Sequence, residues 1–181
     1  GVWRSFQAVM FLAGSFIIAL SKPAIRILAA KEYYEAWRYV PVLSGAMIFT
    51  AFTSFVGTVY VVTKQSGLSF ITALAGAVIN IVLNFILIPS PLGVQGAAVA
   101  TLLSYFAVFI IRAVNSRKYL PFSLYGGHVA ANTAIIIIQT VFSVMELPYC
   151  AAVQALCILL IAAVNIKFII ACIKKMLSAI N

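Results

Sequence analysis

Acidic side chains are almost absent from this chain. Glu32, Glu35 and Glu146 are the three acids in 181 residues, against twelve Lys and Arg. Charged residues of both signs make up 8% of the sequence and hydrophobic residues 65%. That balance excludes a disordered chain and argues against a soluble domain, which needs charge to cover its surface. No carboxylate falls in the middle of an apolar segment. There is no paired-acid site, no phosphate-cradling glycine loop and no nucleophile signature. The one histidine, His128, has no His or Cys partner at metal-ligand spacing. The three cysteines, Cys150, Cys157 and Cys172, read as small apolar packing residues, with the first two too far apart along one helix for a disulfide. No catalytic residue, metal or cofactor is expected, and the chain reads as a non-enzyme.

The net charge of +9 does not point to nucleic acid, because the cations form no stripe. They sit at the ends of apolar segments, as membrane anchors do. Stretches of about 20 apolar residues cross a bilayer. Six are expected here, over about residues 6–28, 39–63, 68–88, 94–114, 128–147 and 149–172. The fold class is therefore all-α: a polytopic membrane protein. Helices satisfy their own backbone groups inside hydrocarbon, so the isoleucine run from Ile135 to Ile138 does not argue for strands. The first apolar stretch is too long for a signal-peptide core and lacks a cleavage region. The chain opens on Gly1, and a part of a longer protein is expected.

The twelve cations divide eight to four between the two sides. Arg4, Lys64, Arg112, Arg117, Lys118, Lys167, Lys174 and Lys175 fall on the side of the N-terminus. Lys22, Arg26, Lys31 and Arg38 fall opposite. The positive-inside rule then places both termini in the cytoplasm. Arg112 and Lys167 lie near helix ends, where they are expected to snorkel. Tyr33, Tyr34, Trp37 and Tyr39 form one interfacial belt, and Tyr119, Phe122 and Tyr125 the other. The Lys31–Arg38 stretch suits a surface helix in which Glu35 pairs with Lys31 or Arg38. The Asn115–Gly127 connection reads as a basic cytoplasmic loop closed by its two glycines.

The stretch from Asn80 to Thr101 carries the most information. An apolar helix with Asn80 and Asn84 on one face stops at Pro89, turns through Pro91 and Gly93, and restarts on Gly96, Ala97, Ala98, Ala100 and Thr101. Gly96 with Ala100, and Ala97 with Thr101, have the spacing that lets helix backbones approach closely, as do Thr53 and Gly57. Amides in a membrane span need protein or water, so Asn80 and Asn84 either bond to a neighbouring helix, the commoner role, or line a polar cavity. Asn132, Gln139, Gln154 and Asn165 face the same choice. Lys22 and Arg26 share a helix face around Pro23, which is expected to kink or break the helix. They either snorkel to headgroups or form a cationic patch for a lipid-linked phosphate, for which the arginine fork is suited.

The Asn80–Thr101 pattern resembles the C-terminal half of polysaccharide and O-antigen flippases. These belong to the superfamily that also holds multidrug antiporters and the lipid II flippase. Lys31-Glu32-Tyr33-Tyr34-Glu35-Ala36-Trp37 is similar to a linker of that family; the last two helices match only in length and polarity. The resemblance implies one lobe of a two-lobe transporter in the bacterial inner membrane. Its cargo would be an undecaprenyl-pyrophosphate-linked oligosaccharide, moved by alternating access. The implied partners are that lipid-linked oligosaccharide, membrane lipids and a missing N-terminal lobe or second copy, without nucleic acid. Arg26, Lys22, Asn80 and Asn84 are the candidate substrate-binding residues. The competing readings are a cation-coupled multidrug antiporter, which usually places an acid deep in a helix, and a non-transporting membrane subunit of a glycan-assembly complex.

Overall fold

The computed structural model describes residues 2–119 and 124–180, with side chains to 168 and at 170. Phe122 and the side chains of Cys172, Lys174 and Lys175 lie outside the described residues. Every regular element among the described residues is helical. The elements are α1 (Val2–Ala19), α2 (Ser21–Leu28), a 3-10 helix (Lys31–Arg38), α3 (Val40–Val62), α4 (Ser66–Leu87), α5 (Val94–Ser116), α6 (Gly126–Val144) and α7 (Cys150–Ile180). Six of these are long and apolar enough to cross a membrane: α1, α3, α4, α5, α6 and α7 over Cys150–Phe168. The fold is that of a multi-pass helical membrane protein.

The expected first helix, 6–28, is two helices. The break falls at Leu20, three residues before Pro23, where the backbone turns through φ −92° and ψ 4°. Proline thereby sits in the first turn of α2, where its missing N–H has no intrahelical acceptor to lose. The 3-10 helix explains which partner Glu35 takes. At three residues per turn positions i and i+3 eclipse, so Arg38 Nε meets Glu35 Oε2 at 3.0 Å. Trp37, expected in an interfacial belt, is covered by its neighbours. It is buried, with the Lys22 ammonium 4.2 Å from its ring centroid. Gly126 and Gly127 open α6 rather than close the preceding loop, and Tyr125 takes the left-handed turn before them with φ 48°.

The chain forms two compact units, Gly1–Pro41 with Leu124–Asn181, and Val42–Ser123. In the first, α1 packs against α6 and α7. Trp3 Nε1 and Gln7 Nε2 both donate to the carbonyl of Leu124, at 2.9 and 3.1 Å. Deeper in the unit Ser15 Oγ donates to Gln139 Oε1 at 2.8 Å, and Gln139 Nε2 returns a bond to Ser15 O at 3.0 Å. Gln154 Nε2 donates to Gln139 O, and Asn165 Nδ2 to Asn132 Oδ1 at 2.9 Å. The amides of α6 and α7 are thus spent on helix–helix packing, where a bond between polar groups avoids their desolvation cost. Cys150 and Cys157 are free thiols.

In the second unit α4 and α5 form a tight hairpin through Pro89, Pro91 and Gly93. Gly93 has φ 53° and ψ −129°, a backbone conformation open to glycine because it has no Cβ. Gly96 follows against α4, where an added Cβ would run into the Leu87 carbonyl oxygen. Phe49, Phe52, Phe106 and Phe109 pack α3 on α5, with the Phe49 and Phe106 centroids 5.0 Å apart and edge to face. The most apolar span, α4, with mean hydropathy 2.3, is also the least buried. Its apolar surface suits lipid, while its small and polar side turns to α5 and α3.

Candidate functional site

Small residues on α4 leave a cavity of about 500 Å³ among α3, α4 and α5, wholly within the second unit. Ala73, Gly76 and Ala77 form most of the α4 wall, with Asn80 at one end. Larger side chains there would fill the space, and the three together carry almost no side-chain volume. The opposite walls bear hydroxyls, from Thr50, Thr53 and Ser54 on α3 and Thr101 and Ser104 on α5.

The hydroxyl protons are largely committed. Thr50 Oγ1 donates to Ala46 O at 2.8 Å, Thr101 Oγ1 to Ala97 O at 2.9 Å, and Ser104 Oγ to Thr101 O at 2.9 Å. Thr53 Oγ1 donates across the unit to Tyr105 O at 3.3 Å. Each hydroxyl oxygen keeps lone pairs for other donors. Asn80 uses two of them, its Nδ2 lying 3.5 Å from Thr101 Oγ1 and 3.3 Å from Ser104 Oγ. Asn80 Oδ1 accepts from Asn84 Nδ2 at 2.9 Å. Asn84 Oδ1 is buried with no partner among the described residues. This end of the cavity is therefore rich in acceptors.

The other end is a cation. Arg112 lies in the last turns of α5, yet its side chain is buried rather than at the surface. Nε donates to Thr72 Oγ1 at 2.9 Å, Nη1 to Thr53 O at 3.1 Å, and Nη2 to Ser69 O at 3.2 Å. The expected snorkelling fails for a geometric reason. The Cα–Cβ bonds of a helix tilt toward its N-terminus, so a long side chain near the C-terminal end of α5 is aimed back into the span. Gly57 on α3 provides the room: a Cβ there would lie 2.5 Å from Arg112 Nη1.

No acid balances this charge locally. The sequence has no Asp or Glu from Val42 to Ser123. Lys22–Glu146 and Glu35–Arg38 are ion pairs of the other unit. Arg112 instead has three neutral acceptors and the Tyr60 ring, with 5.9 Å from the guanidinium carbon to the centroid.

The four residues expected to bind substrate are divided by the fold. Asn80 lines the cavity, and Asn84 supports it from one turn away. Lys22 and Arg26 belong to the other unit. Lys22 is held by Glu146, whose carboxyl that hydrogen bond and charge keep below its ordinary value. Arg26 is exposed, its guanidinium carbon 5.8 Å from the Tyr34 ring centroid. Arg112 was not among the expected site residues. Its signal in the sequence is that it is the one charge in α5, four residues before the polar end of the helix.

No family model matches this chain, and no curated protein or solved structure matches it.

Proposed function

We propose that this chain is a transmembrane lobe of a flippase that moves undecaprenyl-pyrophosphate-linked oligosaccharide across the bacterial inner membrane. The observation that carries the reading is the cavity among α3, α4 and α5, with acceptor oxygens at one end and an arginine at the other. Sugar hydroxyls are donors and suit the Thr and Ser oxygens; a phosphate group is an acceptor and suits guanidinium N–H groups. A volume of about 500 Å³ lies in the range of about 300–1,000 Å³ usual for small-molecule sites, enough for part of a headgroup. The lipid tail would remain in the bilayer, and the lobe would work with a second lobe by alternating access, both termini being cytoplasmic.

The test is translocation by the full-length protein in proteoliposomes. Fluorescent undecaprenyl-pyrophosphate-linked oligosaccharide is placed in both leaflets and quenched from outside with a membrane-impermeant reductant. A flippase renders the inner pool quenchable far faster than in empty vesicles. An unchanged protected fraction would sink the reading. The antiporter alternative instead predicts ion-driven movement of an organic cation in the same vesicles, and the assembly-subunit alternative predicts neither.

A further inference from the structure

The geometry points to Arg112 as the binding group for a phosphate-class oxyanion, reached from the α3–α4 turn past Lys64. This rests on the cavity as a cargo site, and adds which group holds the charged part of the cargo and from which end it arrives.

Three observations carry it. The first is charge. A guanidinium stays protonated in any protein environment, so burial leaves Arg112 with a full positive charge and no local acid. Neutral acceptors offset only part of the cost of taking a cation out of water, and a mobile anion can offset the rest. The second is spare hydrogen-bonding capacity. Arg112 makes one described bond from each of its three nitrogens. Five N–H groups are present, so two remain, one on each terminal nitrogen, and Arg112 lines the cavity. Guanidinium N–H groups are strong donors to phosphate and carboxylate oxygens.

The third is access. A second cavity, of about 470 Å³, is lined by Tyr60, Lys64, Ser66 and Ser69. Ala73 borders both cavities, and Ser69, which lines the second, supplies the carbonyl that Arg112 Nη2 binds. Arg112 thus lines the first cavity and is bonded to a residue that lines the second. Lys64 occupies the α3–α4 turn in a left-handed conformation, φ 56°, and is exposed. An exposed cation lining the second cavity and a buried one lining the first favour an anion entering from that end, with Lys64 raising its local concentration.

The full-length protein in nanodiscs tests this. Inorganic pyrophosphate is titrated against the thermal unfolding midpoint in phosphatidylcholine discs at constant ionic strength, with chloride as the control. A parallel series replaces part of the phosphatidylcholine with phosphatidic acid. A ligand of the folded state raises the midpoint with the logarithm of its concentration above Kd. A rise with pyrophosphate assigns the site to a free or cargo phosphate; a rise with phosphatidic acid alone assigns it to a lipid headgroup. In either case Arg112→Lys should weaken binding by about tenfold, since charge remains but the guanidinium donors are lost. Lys64→Gln, in an exposed turn, should slow binding and reduce its salt dependence. If Arg112→Lys does not fold, the Nε–H resonance of Arg112 in the parent reports directly and should shift on titration. No response to either phosphate source, or an equal response in Arg112→Lys, overturns the proposal. Binding without translocation of the lipid-linked sugar keeps this site and removes the flippase reading. Translocation with no Arg112-dependent binding does the reverse.

Discussion

Gly57 and Arg112 are shaped to each other: the missing side chain of one is the space taken by the guanidinium of the other. A Cβ at Gly57 would fall 2.5 Å from Arg112 Nη1, and Nη1 donates to Thr53 O one turn away on the same helix as Gly57. The closely spaced Thr53 and Gly57 serve here to admit a charged side chain.

Gly57→Ala follows from this. The colliding atom is the tip of a flexible side chain, so the guanidinium should withdraw while the helices stay in place. The protein should fold and melt within a few degrees of the parent. Pyrophosphate affinity should nevertheless fall by about tenfold, because the guanidinium donors are no longer in register. Thermal unfolding with and without pyrophosphate checks both halves. Parental affinity would mean that Gly57 does not position the arginine.

Gly96 poses the opposite case. Its added Cβ would meet the carbonyl of Leu87, which is backbone and cannot rotate away. Gly96→Ala should already cost about 1–3 kcal/mol through overpacking, and Gly96→Leu more. Chemical denaturation in detergent measures it. A variant as stable as the parent would show that the α4–α5 hairpin opens freely at this point.

The Lys22–Glu146 pair predicts a pH dependence. The hydrogen bond and charge of Lys22, with a smaller contribution from Arg38, hold the Glu146 carboxyl below its ordinary 4.5. A depressed carboxyl stabilises the fold above its unfolded value, and this is lost as the pH falls through the folded value. The melting difference between the parent and Glu146→Gln should be constant above 4.5 and shrink below it. Both partners are exposed, so salt should also reduce it. A difference that grows on acidification would exclude the pair as its source.

Topology is tested by single cysteines on a cysteine-free background. The eight-to-four division of Lys and Arg predicts a cytoplasmic Ser116 and an external Glu32. Impermeant thiol reagents added to intact cells should label position 32 and spare position 116. The reverse pattern would invert the orientation.

The six spans were legible in the sequence because a span is a local property of composition. A run of apolar residues long enough for the bilayer must be helical whatever surrounds it. The hairpin at Pro89–Gly93 was legible for a similar reason, since proline and glycine act on their own backbone. Pairings were not legible. The sequence marked Asn132 and Gln139 as span amides in need of a partner, yet only packing decides that they bond Asn165 and Ser15 and hold α1, α6 and α7 together. The cationic candidates fared likewise. Lys22 and Arg26 looked like a patch by spacing, but Lys22 is paired with Glu146, 124 residues away.

Arg112 marks where sequence stops and tertiary structure begins. The sequence determined that a lone cation sits near the end of an apolar helix, in a stretch with no acid to meet it. It did not determine which way that cation points. The direction is decided by partners 40, 43 and 59 positions away, on two other helices, and by the gap at Gly57. Insertion into the bilayer depends on each helix alone, whereas a site between helices exists only once they have packed.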